Sequence, residues 1–135
     1  MLITARQHPC ETVSSFVCEK MIKLLVSSSE LAQKLLKKFT FIVIPMINVD
    51  GVIHGNSRTN LLGYDLNRSW EDTDPYKSVE CHLLWEYFWK IYQENDGFVW
   101  TFDLHGHSKE LGFMTYFSEE NDDSLIFNHL MKDKS

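Results

Sequence analysis

Three side chains of the sequence could hold a metal ion: His8, Glu11 and His105. A neutral imidazole and a carboxylate are both good zinc ligands, and a catalytic zinc site uses three protein ligands and leaves a fourth position for water. His8 and Glu11 are close enough in sequence to converge on one point. A His-x-x-Glu pattern is weak on its own, however. Taken alone it favours the simpler interpretation, in which His8 caps a helix and His105 is a polar loop residue.

Pro9 predicts how the first two candidate ligands are presented. Proline suits the first position of a helix, and it pushes the residue before it, His8, into an extended conformation. Glu11 is therefore expected in the first helical turn. His105 follows a predicted strand, and ligand sites in α/β sheets gather beyond the carboxyl ends of the strands. The sequence thus predicts His8 and His105 at the same edge of one sheet.

Helices are predicted where apolar residues recur at helical spacing, over residues 11–26 and 79–92. Ser27 and Glu30 form a capping-box pattern for a further helix that runs to residue 38. The tail at residues 123–132 is also expected to be helical.

Strands are predicted where β-branched and aromatic residues cluster, at residues 2–5, 39–46, 98–104 and 112–117. The run at 39–46 is expected to be buried. Residues 48–70 show no periodicity and predict a long loop, which is usually functional inside a compact domain. This alternation of strands and helices predicts an α/β fold around a mainly parallel sheet.

Composition describes one globular domain. The chain has 135 residues, of which 44% are hydrophobic and 24% charged. Its net charge of −6 argues against nucleic-acid binding, and its longest apolar run is too short to span a membrane. No signal peptide is evident. The three cysteines, Cys10, Cys18 and Cys81, have no regular spacing and are expected to be reduced thiols in the cytoplasm.

Five short motifs carry more information than the ligand spacing alone. They are Arg6-Gln7-His8-Pro9-Cys10-Glu11-Thr12, Asn48-Val49-Asp50-Gly51-Val52, His54-Gly55-Asn56-Ser57-Arg58, Leu62-Gly63-Tyr64-Asp65-Leu66-Asn67-Arg68 and Asp103-Leu104-His105-Gly106-His107-Ser108. In this order and spacing the sequence resembles the zinc carboxypeptidases, and within them the cytosolic carboxypeptidases that trim glutamates. The resemblance implies a mixed, mainly parallel sheet flanked by helices. It also implies one Zn²⁺ ion held by His8, Glu11 and His105.

The resemblance implies roles for four further residues. Asn67 and Arg68 match the clamp for the substrate's terminal carboxylate, a task that suits the planar fork of arginine. Arg58 matches the residue that stabilises the oxyanion together with the metal. Asp65 resembles the carboxylate that accepts the second N–H of the first histidine, His8. The alternatives are a surface salt bridge for Arg68, a structural role for Arg58 and a turn-forming role for Asp65.

The sequence departs from the family pattern in three respects. Cys10 stands where glycine is common, and Val49 stands where proline is common. Cys10 would strain the turn if its backbone had a positive φ, and its thiol could act as an adventitious soft ligand. The family's general-base glutamate has no match in this chain, because Glu110, Glu119 and Glu120 lie in the wrong context. Residues 1–135 are therefore expected to form a partial catalytic domain that is truncated at both ends.

The resemblance leads to one main functional hypothesis and two alternatives. The main hypothesis is a zinc metallocarboxypeptidase of the cytoplasm that hydrolyses C-terminal residues, expected to be glutamates, from acidic protein tails such as that of polyglutamylated tubulin. The first alternative is an inactive module that binds zinc and carboxylates but lacks the base. The second is a related zinc deacylase of amino-acid conjugates. Neither nucleic acid nor membrane is an expected partner, and the sequence does not predict an oligomeric state.

Overall fold

The computed structural model describes residues 1–96 and 99–107. At its centre is a three-stranded parallel sheet in the order β2-β1-β3. The strands are β1 (Leu2–Ala5), β2 (Ile42–Ile44) and β3 (Thr101–Leu104). All of β1 is buried, as is typical of a central parallel strand. The predicted α/β fold with a mainly parallel sheet is confirmed.

Helical segments make the crossovers that parallel strands require. Helices α1 (Thr12–Leu25) and α2 (Glu30–Lys38) lead from β1 to β2. Helix α3 (Val49–His54), a 3₁₀ turn (Leu66–Arg68) and helix α4 (Val79–Glu94) lie between β2 and β3. The helices predicted at residues 11–26 and 79–92, and the helix predicted to follow Ser27 and run to residue 38, are confirmed with shifts at their ends.

The predicted starts of α1 and α2 are wrong. Glu11 is the N-cap of α1 and Thr12 its first residue, so Pro9 lies in the preceding turn and not at the first helical position. Helix α2 is capped by Ser29, whose hydroxyl oxygen accepts from the backbone N–H of Ala32 at 3.2 Å. Ser27 lies two residues beyond the end of α1, and its hydroxyl donates to the Leu24 carbonyl at 2.7 Å instead.

The predicted extents of β2 and of the long loop are also wrong. Strand β2 is shorter than residues 39–46 and only half-buried, because β1 is the one neighbour it has in the described sheet. Residues 48–70 contain α3 and the 3₁₀ turn, both too short to give a periodic pattern. The predicted strand at 112–117 and helix at 123–132 lie outside the described residues.

A small apolar cluster holds the 3₁₀ turn against α4. Its buried members are Ile47, Leu66 and Cys81, with Trp70 among the partly buried residues packed on them. Leu66 therefore fixes the segment that contains Asp65, Asn67 and Arg68. Within residues 1–96 and 99–107, no helix is long and apolar enough to cross a membrane.

Candidate metal centre

The turn at residues 6–11 presents two of the three predicted ligands. Arg6 begins the turn with a φ of 58°, a left-handed conformation that residues with a Cβ adopt infrequently. Its side chain holds the turn closed, because Nε donates to the Pro9 carbonyl at 2.8 Å and Nη1 donates to Ser15 Oγ at 2.9 Å. The turn is therefore fixed both by its own backbone and by the first residues of α1.

The side chains of His8, Glu11 and His105 converge as the sequence predicts. His8 Nδ1 is 2.8 Å from Glu11 Oε1, and His105 Nδ1 is 3.0 Å from Glu11 Oε2. The two Nδ1 atoms are 3.2 Å apart. One ligand atom from each residue lies within 4.8 Å of the others. Glu11 caps α1 with its backbone alone, so its carboxylate is available to the histidines.

These separations fit a zinc ion. Tetrahedral zinc with bonds of about 2.0–2.1 Å separates its ligand atoms by roughly 3.3 Å, close to the 3.2 Å between the two histidine nitrogens. Two imidazole nitrogens and one carboxylate are also the chemical set that catalytic zinc uses. The three residues could therefore hold Zn²⁺ with little rearrangement.

Each histidine also contacts an aspartate through its second ring nitrogen. His8 Nε2 is 3.1 Å from Asp65 Oδ1, and His105 Nε2 is 2.7 Å from Asp103 Oδ2. When Nε2 carries the proton and donates it to a carboxylate, Nδ1 is left with a lone pair for a metal. Asp65 was expected in this position from the resemblance. Asp103 was missed, although strand alternation puts residues 103 and 105 on the same face.

Electrostatics distinguish the two supports. Burial tends to raise the pKa of Asp65, but hydrogen bonds from Arg58, His8 and the Asn67 backbone outweigh it and lower that pKa. The hydrogen bond to Asp103 raises the pKa of His105 against the opposing effect of burial. Several donors thus stabilise the ionised form of Asp65. Asp103 instead stabilises the protonated form of His105, the ring that it contacts.

Arg58 and the predicted clamp residues lie along the chain on either side of Asp65. Arg58 Nε donates to Asp65 Oδ2 at 2.5 Å, and the Asn67 backbone N–H donates to Asp65 Oδ1 at 2.9 Å. Arg68 is exposed, and its Nη1 donates to the Asn67 carbonyl at 2.9 Å. Asp65 therefore connects Arg58, Asn67 and the candidate metal ligand His8.

Asn48 and Gly51 support the ligand turn from the other side. Asn48 is fully buried; its Nδ2 donates to the Gln7 carbonyl at 3.1 Å, and its Oδ1 accepts from the Gly51 N–H at 3.0 Å. A Cβ on Gly51 would lie 2.4 Å from Asn48 Oδ1 and 2.7 Å from Pro9 Cγ. This close approach requires glycine at residue 51. The sequence singled out this motif but not its role.

The two substitutions within the motifs are compatible with this backbone. Among the described residues the only non-glycine residues with positive φ are Arg6 and Asp96, so Cys10 does not strain the turn. Val49 is the first residue of α3, a position that proline favours but does not require. Cys10 donates its backbone N–H to the Ser57 carbonyl at 3.0 Å and so connects the ligand turn to the segment carrying Arg58.

Two histidines and a glutamate thus meet at the carboxyl ends of the strands of an α/β sheet, and they match the ligand set of a catalytic zinc site. The family model for zinc carboxypeptidases matches residues 1–113. The chain belongs to the zinc carboxypeptidase family, whose metal is zinc.

Individual relatives agree with this assignment. Cytosolic carboxypeptidase 6 of Mus musculus is 40% identical over 116 residues, which cover 84% of this chain and 22% of the relative. Cytosolic carboxypeptidase 1 of Gallus gallus is 45% identical over 119 residues, which cover 86% of this chain and 10% of the relative. A metallo-carboxypeptidase structure from Burkholderia cenocepacia matches with a TM-score of 0.69 and 34% identity, covering 78% of this chain and 28% of that one. The chain thus spans between 10% and 28% of the length of these relatives.

Proposed function

We propose that this chain carries the metal site and the carboxylate clamp of a zinc metallocarboxypeptidase that removes C-terminal residues from proteins. The observation that carries the proposal is the convergence of His8, Glu11 and His105 on one point, with Asp65 joining that point to the clamp segment. Family membership supports the same reaction class.

Each polar group of the site has a proposed task. Zinc, when bound, would polarise the scissile carbonyl and lower the pKa of a bound water. Asn67 and Arg68 would bind the terminal carboxylate of the substrate, with the guanidinium providing two parallel N–H donors. Arg58 would stabilise the oxyanion: its Nε donates to Asp65, and an arginine side chain has four further N–H groups.

We infer that the substrates are acidic tails, with glutamate at the end that is removed. Arg58 and Arg68 are both exposed, and Arg58 contacts Asp65, which in turn contacts His8. Their positive charges would attract a glutamate-rich tail. The relatives named cytosolic carboxypeptidases support a cytoplasmic substrate, for which polyglutamylated tubulin is our proposal.

A second candidate is a module that binds zinc and carboxylates without turnover. Within residues 1–96 and 99–107, the carboxylates that contact the two histidines are Glu11, Asp65 and Asp103. Glu11 is a proposed ligand and each aspartate is already paired with a histidine. None of the three is therefore suited to serve as the general base, whose loss costs a factor on the order of 10²–10⁴.

Zinc content tests the metal site directly. The purified chain should bind one equivalent of zinc, and His8→Ala and His105→Ala should each abolish stoichiometric binding. His54→Ala is the matched control, because His54 is exposed on α3. A wild-type chain that never retains zinc would contradict the proposed ligand set.

Peptides distinguish the enzyme from the binding module. Peptides ending in several glutamates should bind the zinc-loaded chain more tightly than the same peptides with an amidated C-terminus. Release of free glutamate by the pure chain would support the enzyme and exclude the inactive module. Binding without any release would support the module. Equal affinity for free and amidated ends would contradict the carboxylate clamp in both.

A further inference from the structure

We propose that Thr4 and Asp103 are positioning residues for the zinc ligand His105, so that one ligand is oriented from inside the sheet. This inference rests on the ligand set proposed above. Neither residue contacts the metal position itself. Both act through the orientation and the tautomer of the His105 ring.

The sheet register brings the two residues together. Thr4 on β1 and Asp103 on β3 are register partners on neighbouring parallel strands, so their side chains lie on the same face. Thr4 is buried, and its Oγ1 donates to Asp103 Oδ1 at 2.7 Å. Asp103 Oδ2 then accepts from His105 Nε2 at 2.7 Å. One carboxylate oxygen is therefore anchored to the central strand, while the other is directed at the histidine.

The chemical consequence lies at the opposite ring nitrogen. With its proton on Nε2, His105 presents a lone pair from Nδ1 towards Glu11 and His8. The backbone beside the ring is fixed as well, because the Gly106 N–H donates to Glu11 Oε2 at 2.8 Å. Ring and backbone are thus held by independent contacts. Loss of the Asp103 contact would free the ring to rotate or to carry its proton on Nδ1, where it competes with zinc.

The aspartate that contacts His8 is held by different groups from the aspartate that contacts His105. Asp65 is anchored by Arg58 and by a backbone N–H of the 3₁₀ turn. Asp103 is anchored by a neutral hydroxyl from a buried strand. The Thr4 hydroxyl orients the Asp103 carboxylate without adding a charge. A variant that keeps the hydroxyl should therefore keep the orientation of Asp103 and His105.

Three variants test the proposal by zinc affinity, measured by competition with a chelator. Asp103→Asn should weaken zinc binding by about 10–100-fold, the usual range for a lost outer contact of a ligand. Thr4→Val should weaken it by roughly tenfold, and Thr4→Ser should restore wild-type affinity within a factor of about two, because serine retains the donor. Equal affinity of wild type and Asp103→Asn would overturn the inference, as would Thr4→Ser binding zinc as weakly as Thr4→Val.

The zinc-loaded chain offers a second measurement that strand packing alone would not move. Nitrogen-15 NMR should show the His105 Nε2 proton exchanging slowly with solvent in wild type and in Thr4→Ser, because Asp103 accepts it, and exchanging faster in Asp103→Asn, whose neutral amide is a weaker acceptor. An unchanged exchange rate in Asp103→Asn overturns the inference but leaves the proposed function intact. Failure of wild type to bind zinc overturns the ligand set and this inference together.

Discussion

The proposed metal ligands and the proposed carboxylate clamp are neighbours along the chain, but protein contacts order them to different degrees. The side chains of His8, Glu11 and His105 are 3%, 15% and 27% exposed, and all three contact one another. Arg68 is exposed, and the described contact of its guanidinium is with the adjacent Asn67 carbonyl. Protein contacts thus organise the three proposed ligands, whereas the guanidinium of Arg68 in the proposed clamp is held by one described contact with its neighbour.

Mutations should therefore act differently in the two regions. A change near the proposed metal ligands disturbs several mutual contacts at once, because each of the three side chains contacts the others. A change in the proposed clamp removes one group that has few contacts with the rest of the protein. Asp65 lies between these two regions, and its substitution should affect both of them.

The largest effect is expected from Gly51→Ala, which would break the support of the ligand turn. Because the new Cβ would meet Asn48 and Pro9 at less than 3 Å, the free energy of unfolding should fall by about 1–3 kcal/mol, as in other overpacked sites. Zinc affinity should fall too. Urea unfolding of the metal-free chain and chelator competition measure the two quantities.

Gly55→Ala is the matched control for Gly51→Ala. Gly55 ends α3 with a φ of 75°, and a Cβ there would meet nothing within 4 Å. Its substitution should cost about 1 kcal/mol from backbone strain without altering zinc affinity. If Gly51→Ala has the same free energy of unfolding and the same zinc affinity as wild type, the close approach of Asn48 to Gly51 is not needed.

Asp65→Asn should come next, with an effect on both regions. Zinc affinity should fall by about 10–100-fold, since Asp65 supports His8. Binding of glutamate-tailed peptides to the zinc-saturated variant should fall as well, because Arg58 loses its carboxylate partner. Chelator competition and peptide titration measure the two. Asp50→Asn, on the exposed side of α3, is the control. An effect on zinc alone would separate Asp65 from the clamp.

The convergence of the three ligands could be predicted because it depends on local features. His8 and His105 each follow a strand, and parallel strands end at a common edge, so spacing and strand order were sufficient. The contact of Asp103 with His105 was also within reach, since it needs only strand alternation.

Other features depend on contacts between residues that are distant in sequence. The need for glycine at residue 51 arises from Asn48 and also from Pro9, and no local pattern connects Pro9 to Gly51. The pairing of Arg58 with Asp65 depends on the path of the intervening segment. Helix α3 was missed because six residues, one of them glycine, show no amphipathic period, and the Asn48 cap is what holds its first turn.

Arg68→Gln should weaken the clamp and leave the metal ligands unaffected. Glutamine keeps a polar side chain but loses the charge and the bidentate fork, so affinity for glutamate-tailed peptides should fall by roughly tenfold, a typical loss for one charge-assisted hydrogen bond. Zinc affinity should remain within a factor of about two. Lys90→Gln on the exposed surface of α4 controls for the change in net charge. Loss of zinc in Arg68→Gln would mean that the two regions cannot be separated.

The smallest effect is expected at the thiol beside the metal ligands. Cys10 is exposed, whereas Cys18 and Cys81 are buried, and burial raises the pKa of Cys81 to about 12. At pH 8 roughly one Cys81 thiol in 10⁴ would be ionised, so alkylation should reach Cys10 first and the buried thiols only on unfolding. Mass spectrometry of labelled peptides measures this order.

Zinc should slow the labelling of Cys10 by no more than a few fold, because its thiol is not in the group formed by His8, Glu11 and His105. Complete protection of Cys10 by zinc would instead identify the thiol as a ligand. The metal ligands would then include an exposed side chain of the turn. The metal site and the proposed clamp would in that case differ less in solvent exposure than His8, Glu11 and His105 suggest.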